Sequence, residues 1–192
     1  MIAFIITTQI VLANKKVYLL TWGGTQTFTG AGHSSIAFED SNKYHYYSHY
    51  PKKVGGNLDT VLCEMEALLN VDSAIGIQLE SPDLVIEFEV TDEEFYKMKR
   101  VAKKKATKRW TLFLFNCSDF VKCAFKKTDY DLGYAFLIST PYELIDDINA
   151  HNVDAFQKGR IKSIRGQLVL YLKKEPRTVP YTLARFFGLK KR

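Results

Sequence analysis

The chain has 192 residues, 46% of them hydrophobic and 25% charged, a composition that argues against disorder, a collagen-like fibre or a multi-domain assembly. Its three cysteines, Cys63, Cys117 and Cys123, are too few and of the wrong parity for a fully paired disulfide scaffold, and their spacing matches no zinc ribbon. The net charge of +6 is unevenly spread: Gln157 to Arg192 holds eleven basic residues and a single acid, Glu175.

Met1 to Ala13 is uncharged and mostly apolar, ends in Val-Leu-Ala like a signal-peptidase site, and is too short to span a bilayer. It lacks a basic n-region, so it reads either as a weak secretory signal or as a buried β-strand. Residues 14–156 read as one domain, and 157–192 as a basic C-terminal extension packed on it. Lys16 to Trp22 is a buried strand closed by Gly23-Gly24. His33 to Phe38 and Lys43 to Tyr50 form a hairpin, with turn chemistry in Glu39 to Asn42. Val54 to Asp59 is an exposed connection, Leu58 to Leu69 a short helix, and Ala74 to Leu79 and Leu84 to Val90 are strands.

Thr91 and Glu94 make a capping-box pattern at the head of a helix whose apolar stripe is Phe95, Met98, Val101, Ala102 and Ala106. Its other face is basic, with eight Lys or Arg between Lys97 and Arg109. Trp110 to Phe115 leads into a second helix, opened by Asn116-Cys117-Ser118-Asp119, with Phe120, Val121, Ala124 and Phe125 turned inward. A third helix follows Thr140-Pro141, near Tyr142 to Ile148, and a strand is expected at Gln167 to Leu172.

A thiol nucleophile needs a helix N-terminus or a nearby imidazole to activate it, and Cys117 has the first of these in its own sequence. An odd-numbered turn centred on Asp40 or Ser41 puts Lys43, His45, Tyr47 and His49 on the side of the hairpin that carries His33, Ser35 and Ala37. His33 and His45 then become neighbours, with small residues leaving room for a crossing helix. That is the Cys-His-polar arrangement of a thiol hydrolase. His49 and His151 read as surface histidines, and Cys63 and Cys123 as free thiols.

The pair His33 and His45, twelve residues apart, followed about seventy residues later by Asn116-Cys117-x-x-Phe120-Val121, resembles the circularly permuted papain-like proteins of the NlpC/P60 superfamily, including their lecithin:retinol acyltransferase-like branch. Thr140-Pro141 is similar to a segment that follows the cysteine helix in the bacterial permuted hydrolases. The resemblance covers roughly residues 16 to 148. It implies an α+β permuted papain-like fold, an antiparallel sheet packed against the Cys117 helix. It further implies Cys117 as nucleophile, His33 as general base and His45 as the residue orienting it, with Tyr47 a second candidate for that role. Ser118-Asp119 departs from the acidic residue and histidine that follow Asn-Cys in the acyltransferase branch.

The expected activity is thiol-dependent hydrolysis of an amide bond, of peptide or peptidoglycan stem-peptide type, with no metal or organic cofactor. Acyl transfer or cleavage of a lipid ester is the alternative. If residues 1–13 are a signal, the enzyme works in the periplasm or outside the cell; otherwise it is cytoplasmic. The basic surfaces suggest a second class of function, non-catalytic binding of an anionic membrane, a wall polymer or nucleic acid. Nucleic acid has the least support, since no RNA-binding sheet motif, helix-turn-helix or zinc finger is present.

Overall fold

The computed structural model describes residues 14–22, 32–50, 60–65, 67–68, 81–134 and 138–166. The leader at 1–13, the connection at 54–59, the strands expected at 74–79 and 167–172 and the end of the basic extension lie outside them.

Six strands form one antiparallel sheet in the order β4-β3-β2-β1-β5-β6, where β1 is Lys15–Trp22, β2 His33–Asp40, β3 Lys43–His49, β4 Thr60–Met65, β5 Leu84–Val90 and β6 Ile161–Arg165. Among the described residues four helices accompany it: α1 Asp92–Lys105, α2 Cys117–Phe125, α3 Pro141–His151 and α4 Val153–Gln157. The fold is therefore α+β.

Strand alternation divides the buried residues between two faces. Val17 and Leu19 of β1, Ile36 and Phe38 of β2 and Ile86 and Phe88 of β5 turn toward the helices, where Phe95, Met98, Phe120, Val121, Phe125, Leu144 and Ile148 complete the main core. Each such side chain contributes about 1.5–3 kcal/mol on full burial. The opposite face carries Tyr18, Leu20, Trp22, Ala37, Tyr46, Met65 and Val85, packed with Leu68 as a second cluster.

The helices begin where their caps dictate. Thr91, Asn116 and Thr140 each close a capping box, with Glu94, Asp119 and Glu143 respectively, and Pro141 occupies the first turn of α3. Lys122 of α2 and Asp147 of α3 meet at 3.5 Å, both largely buried.

Two elements depart from the sequence reading. The short helix expected at 58–69 gives way to β4, because pairing with β3 from Tyr44↔Met65 to His49↔Thr60 outweighs local preference. β6 was not expected at all. Its side chains beyond Ile161 are exposed, and Lys162 and Arg165 give it the charged, polar look of an edge strand rather than an alternating pattern.

The hairpin turn decides the geometry of the site. Asp40 pairs with Lys43, so only Ser41 and Asn42 lie between the strands, both at positive φ, 52° and 65°. This is the type I′ geometry whose twist suits a two-residue hairpin and which favours glycine at its second position. Asn42→Gly should therefore stabilise the fold by about 0.5–1 kcal/mol, seen as a higher urea midpoint at unchanged m-value. A lower midpoint would show that Asn42 makes contacts worth more than the relief of its backbone.

Candidate active site

Cys117 is the first residue of α2. The N-cap Asn116 has extended backbone, and its side-chain oxygen accepts the N–H groups of Ser118 at 2.9 Å and Asp119 at 3.1 Å, while Asp119 accepts the Asn116 N–H at 3.0 Å. Phe120 N–H reaches the Asn116 carbonyl. The Cys117 N–H is left without an acceptor among the described residues. A helix start holding one uncommitted N–H and the positive end of its dipole is suited to a developing anion.

The helix lies across β2, and Ser34 of β2 meets Ser118 hydroxyl to hydroxyl at 3.2 Å. The Cys117 thiol is enclosed there. Burial pushes its pKa up, opposed by hydrogen bonds from the backbone and hydroxyl of Ser34 and of Ser118. It rests as a neutral thiol.

His33 begins β2, one residue before Ser34 and therefore on the other face of the sheet. Its Nε2 lies 2.7 Å from Ser48 Oγ, and its ring stacks on Tyr50 at 4.2 Å and tilts against Trp22. The imidazole's hydrogen bond thus goes to Ser48 rather than to Cys117. Burial, with a further push from His49, holds His33 down at about 3, so the ring is neutral at ordinary pH. The hydroxyls of Ser35, Tyr46, Ser48 and Tyr50 gather on the same side. Tyr50 also feels the Cys117 thiol electrostatically, so the end of the sheet that holds His33 is the end over which α2 starts.

The two-residue turn corrects the expected neighbours of His33. Register Ser35↔Ser48 and Phe38↔His45 places Ser48 and Tyr50 on its face, and His45 and Tyr47 on the other. His45 sits opposite Phe38 with Nδ1 3.6 Å from Glu64, far along the strand from His33. Tyr47 pairs with Ile36 and packs edge-on against Phe38 in the main core. Neither orients His33; Ser48 occupies that position. An even turn read from Ser41-Asn42 would have found it.

His49 is not a surface residue either. It is fully buried on the helix side of the sheet, stacked on Phe120 at 5.5 Å and edge-on to Phe115 at 5.1 Å. Continuing the register places it across from Ser34, the residue that supports Cys117. Its neighbours Tyr47 and Tyr50 gave no hint of this, because the sequence around it is aromatic on both faces. His151 is half-buried, 3.3 Å from Asp131. Cys63 and Cys123 are free thiols, each partly buried. Among the described residues no group of three or more His, Cys, Asp or Glu is gathered to hold a metal ion.

Comparison of the chain with protein-family models, curated proteins and solved structures finds no match.

The neutral His33 has a measurable consequence. Unfolded, the ring takes a proton below about 6.5; folded, it resists until about 3. Its contribution to stability is complete above pH 6.5 and is lost at up to about 1.4 kcal/mol per pH unit as the pH falls toward 3. Urea midpoints measured over that range should decline more steeply for the wild type than for His33→Gln. Parallel declines would mean that the ring is protonated in the native state.

Proposed function

We propose that the chain is a thiol-dependent hydrolase of permuted papain-like order, with Cys117 as nucleophile and His49, on the helix side of the sheet, as general base. The observation that carries the reading is the start of α2: a capped helix sets Cys117, whose backbone N–H has no acceptor among the described residues, against the face of the sheet that holds Ser34 and His49. The order of a histidine hairpin followed by a cysteine helix, on an α+β scaffold with an antiparallel sheet, supports the permuted papain-like assignment.

In the reaction, the Cys117 S–H proton passes to His49 as sulfur attacks the substrate carbonyl carbon. The carbonyl oxygen becomes an oxyanion facing the Cys117 N–H. Collapse breaks the bond to the amine, which leaves with the proton from His49, and water then hydrolyses the thioester, returning the thiol. An amide of peptide or peptidoglycan stem type is the substrate we favour, which suits a periplasmic or secreted enzyme. A lipid ester is the second reading, favoured by an apolar turn, Leu112 to Leu114, just before the nucleophile. For the base, a second reading is His33, on the other face of the sheet, favoured by Tyr50, which stacks on its ring and interacts electrostatically with Cys117.

An activated ester such as p-nitrophenyl acetate tests the site directly. Intact mass and peptide mapping should find an acetyl adduct on Cys117 alone, absent in Cys117→Ala, and His49→Gln should slow its formation by about 10²–10⁴-fold. Loss confined to His33→Gln would move the base to His33. Equal, slow acylation of Cys63, Cys117 and Cys123 would end the thiol-enzyme reading.

A further inference from the structure

The segment between α1 and α2 holds a feature that the chemistry above does not use. Phe113 and Leu114 are 60% and 84% exposed at the tip of a turn, and Leu112 beside them is half-buried. Adjacent exposed apolar side chains of this size are unusual on a soluble surface, where they mark contact sites.

The turn is rigidly built. Thr111 N–H donates to the Phe115 carbonyl at 2.9 Å, Phe115 N–H returns to Thr111 at 3.1 Å, and the same N–H also reaches Thr111 Oγ1. Asn116 Nδ2 donates to the Leu112 carbonyl at 3.1 Å. The residue that caps the Cys117 helix therefore also ties down the turn. A preformed tip presents its side chains with little ordering left to do on contact.

The surroundings are cationic. Lys103, Lys104, Lys108 and Arg109 are exposed at the end of α1 that leads into the turn, and Lys108 Nζ lies over the Phe115 ring at 4.8 Å. No Asp or Glu occurs from Phe95 to Ser118. Apolar residues on a tip, ringed by lysines, match an anionic bilayer, whose interior takes the apolar groups while its headgroups attract the cations. A nucleic acid would use the cations but gain nothing from Leu114, which cannot stack on a base. Two or three side chains are also too small a patch for a standard protein interface.

We propose that the Leu112–Leu114 turn is a wedge that docks the protein peripherally on an anionic lipid surface, with Lys103, Lys104, Lys108 and Arg109 as its electrostatic collar. Among the described residues no helix is long and apolar enough to cross a membrane, so this contact is one of surface insertion. It does not depend on Cys117 chemistry. If that chemistry holds, docking brings the N-terminus of α2 to the bilayer surface.

Flotation with phosphatidylcholine vesicles, with and without phosphatidylserine, tests it using the full chain. The wild type should float with the phosphatidylserine vesicles, less so at high salt, and Trp110 fluorescence should shift to the blue and be quenched by brominated lipid. The double variant Phe113→Ser/Leu114→Ser should bind more weakly by about tenfold or more, with an unchanged melting temperature showing that it folds. Reversing Lys103, Lys104 and Lys108 to Glu should abolish the lipid preference, while Cys117→Ala should float like the wild type. Three results would overturn the proposal: no vesicle binding, binding unaffected by the double variant, or an exposed patch that instead drives self-association or oligonucleotide binding without lipid.

Discussion

The parity of one turn governs much of this structure. In a pleated strand neighbouring side chains point to opposite faces, so adding or removing a single turn residue would exchange the facing sets of β2 and β3. Two residues, Ser41 and Asn42, connect these strands, and both accept a left-handed backbone to do so. His33 consequently meets Ser48 and Tyr50, Ser34 lies under α2, and His49 is drawn into the helix-side core. With three turn residues, His45 would share the face of His33 while staying far along the strand from it, and the aromatic core pairings of β3 would be lost.

Asn116 is the second point on which separate features converge. One side chain accepts two N–H groups of α2 and donates to the Leu112 carbonyl. Removing an N-cap side chain costs about 0.5–2 kcal/mol. Here it would also release the exposed turn and change the donors that surround Cys117. The cap occupies the N–H groups of Ser118 and Asp119, and so leaves the Cys117 N–H without an acceptor among the described residues. Local helix chemistry, which the residue types alone explain, thereby acquires a geometric role at the proposed site.

The elements legible in the sequence were those with strong local signals. The capping box at Thr91 and the helix starts at Asn116-Cys117 and Thr140-Pro141 were readable because cap chemistry operates within three residues. The strands β1, β2, β3 and β5 were readable from their alternating or continuous apolar runs. What was not legible depended on contacts distant in sequence. β4 exists through its pairing with β3, and β6 through its pairing with β5. The facing of the histidines depended on a turn length that composition alone does not set. Cys117 and His33 stood out by type and position. Ser48 did not, since a serine in a tyrosine-rich strand has no signature until its partner is known. His49 was misread for a related reason: its burial comes from Phe115 and Phe120, some seventy residues away.

The charge state of the site bears on how the proposed reaction proceeds. Burial raises the Cys117 thiol, a shift that favours the neutral thiol over a thiolate. A preformed ion pair of the kind used by many thiol enzymes is therefore not the resting state. Both charges would have to be created in a dry site before any carbonyl could neutralise them, and that cost is several kcal/mol per ion. The less costly course transfers the proton as the carbon–sulfur bond forms, because the negative charge then passes directly to the carbonyl oxygen. There it meets the free N–H and the positive end of α2, which are fixed before the substrate arrives. On this account the enclosure of Cys117 serves selectivity as well as rate. A buried neutral thiol becomes nucleophilic only toward a carbonyl positioned against the start of the helix.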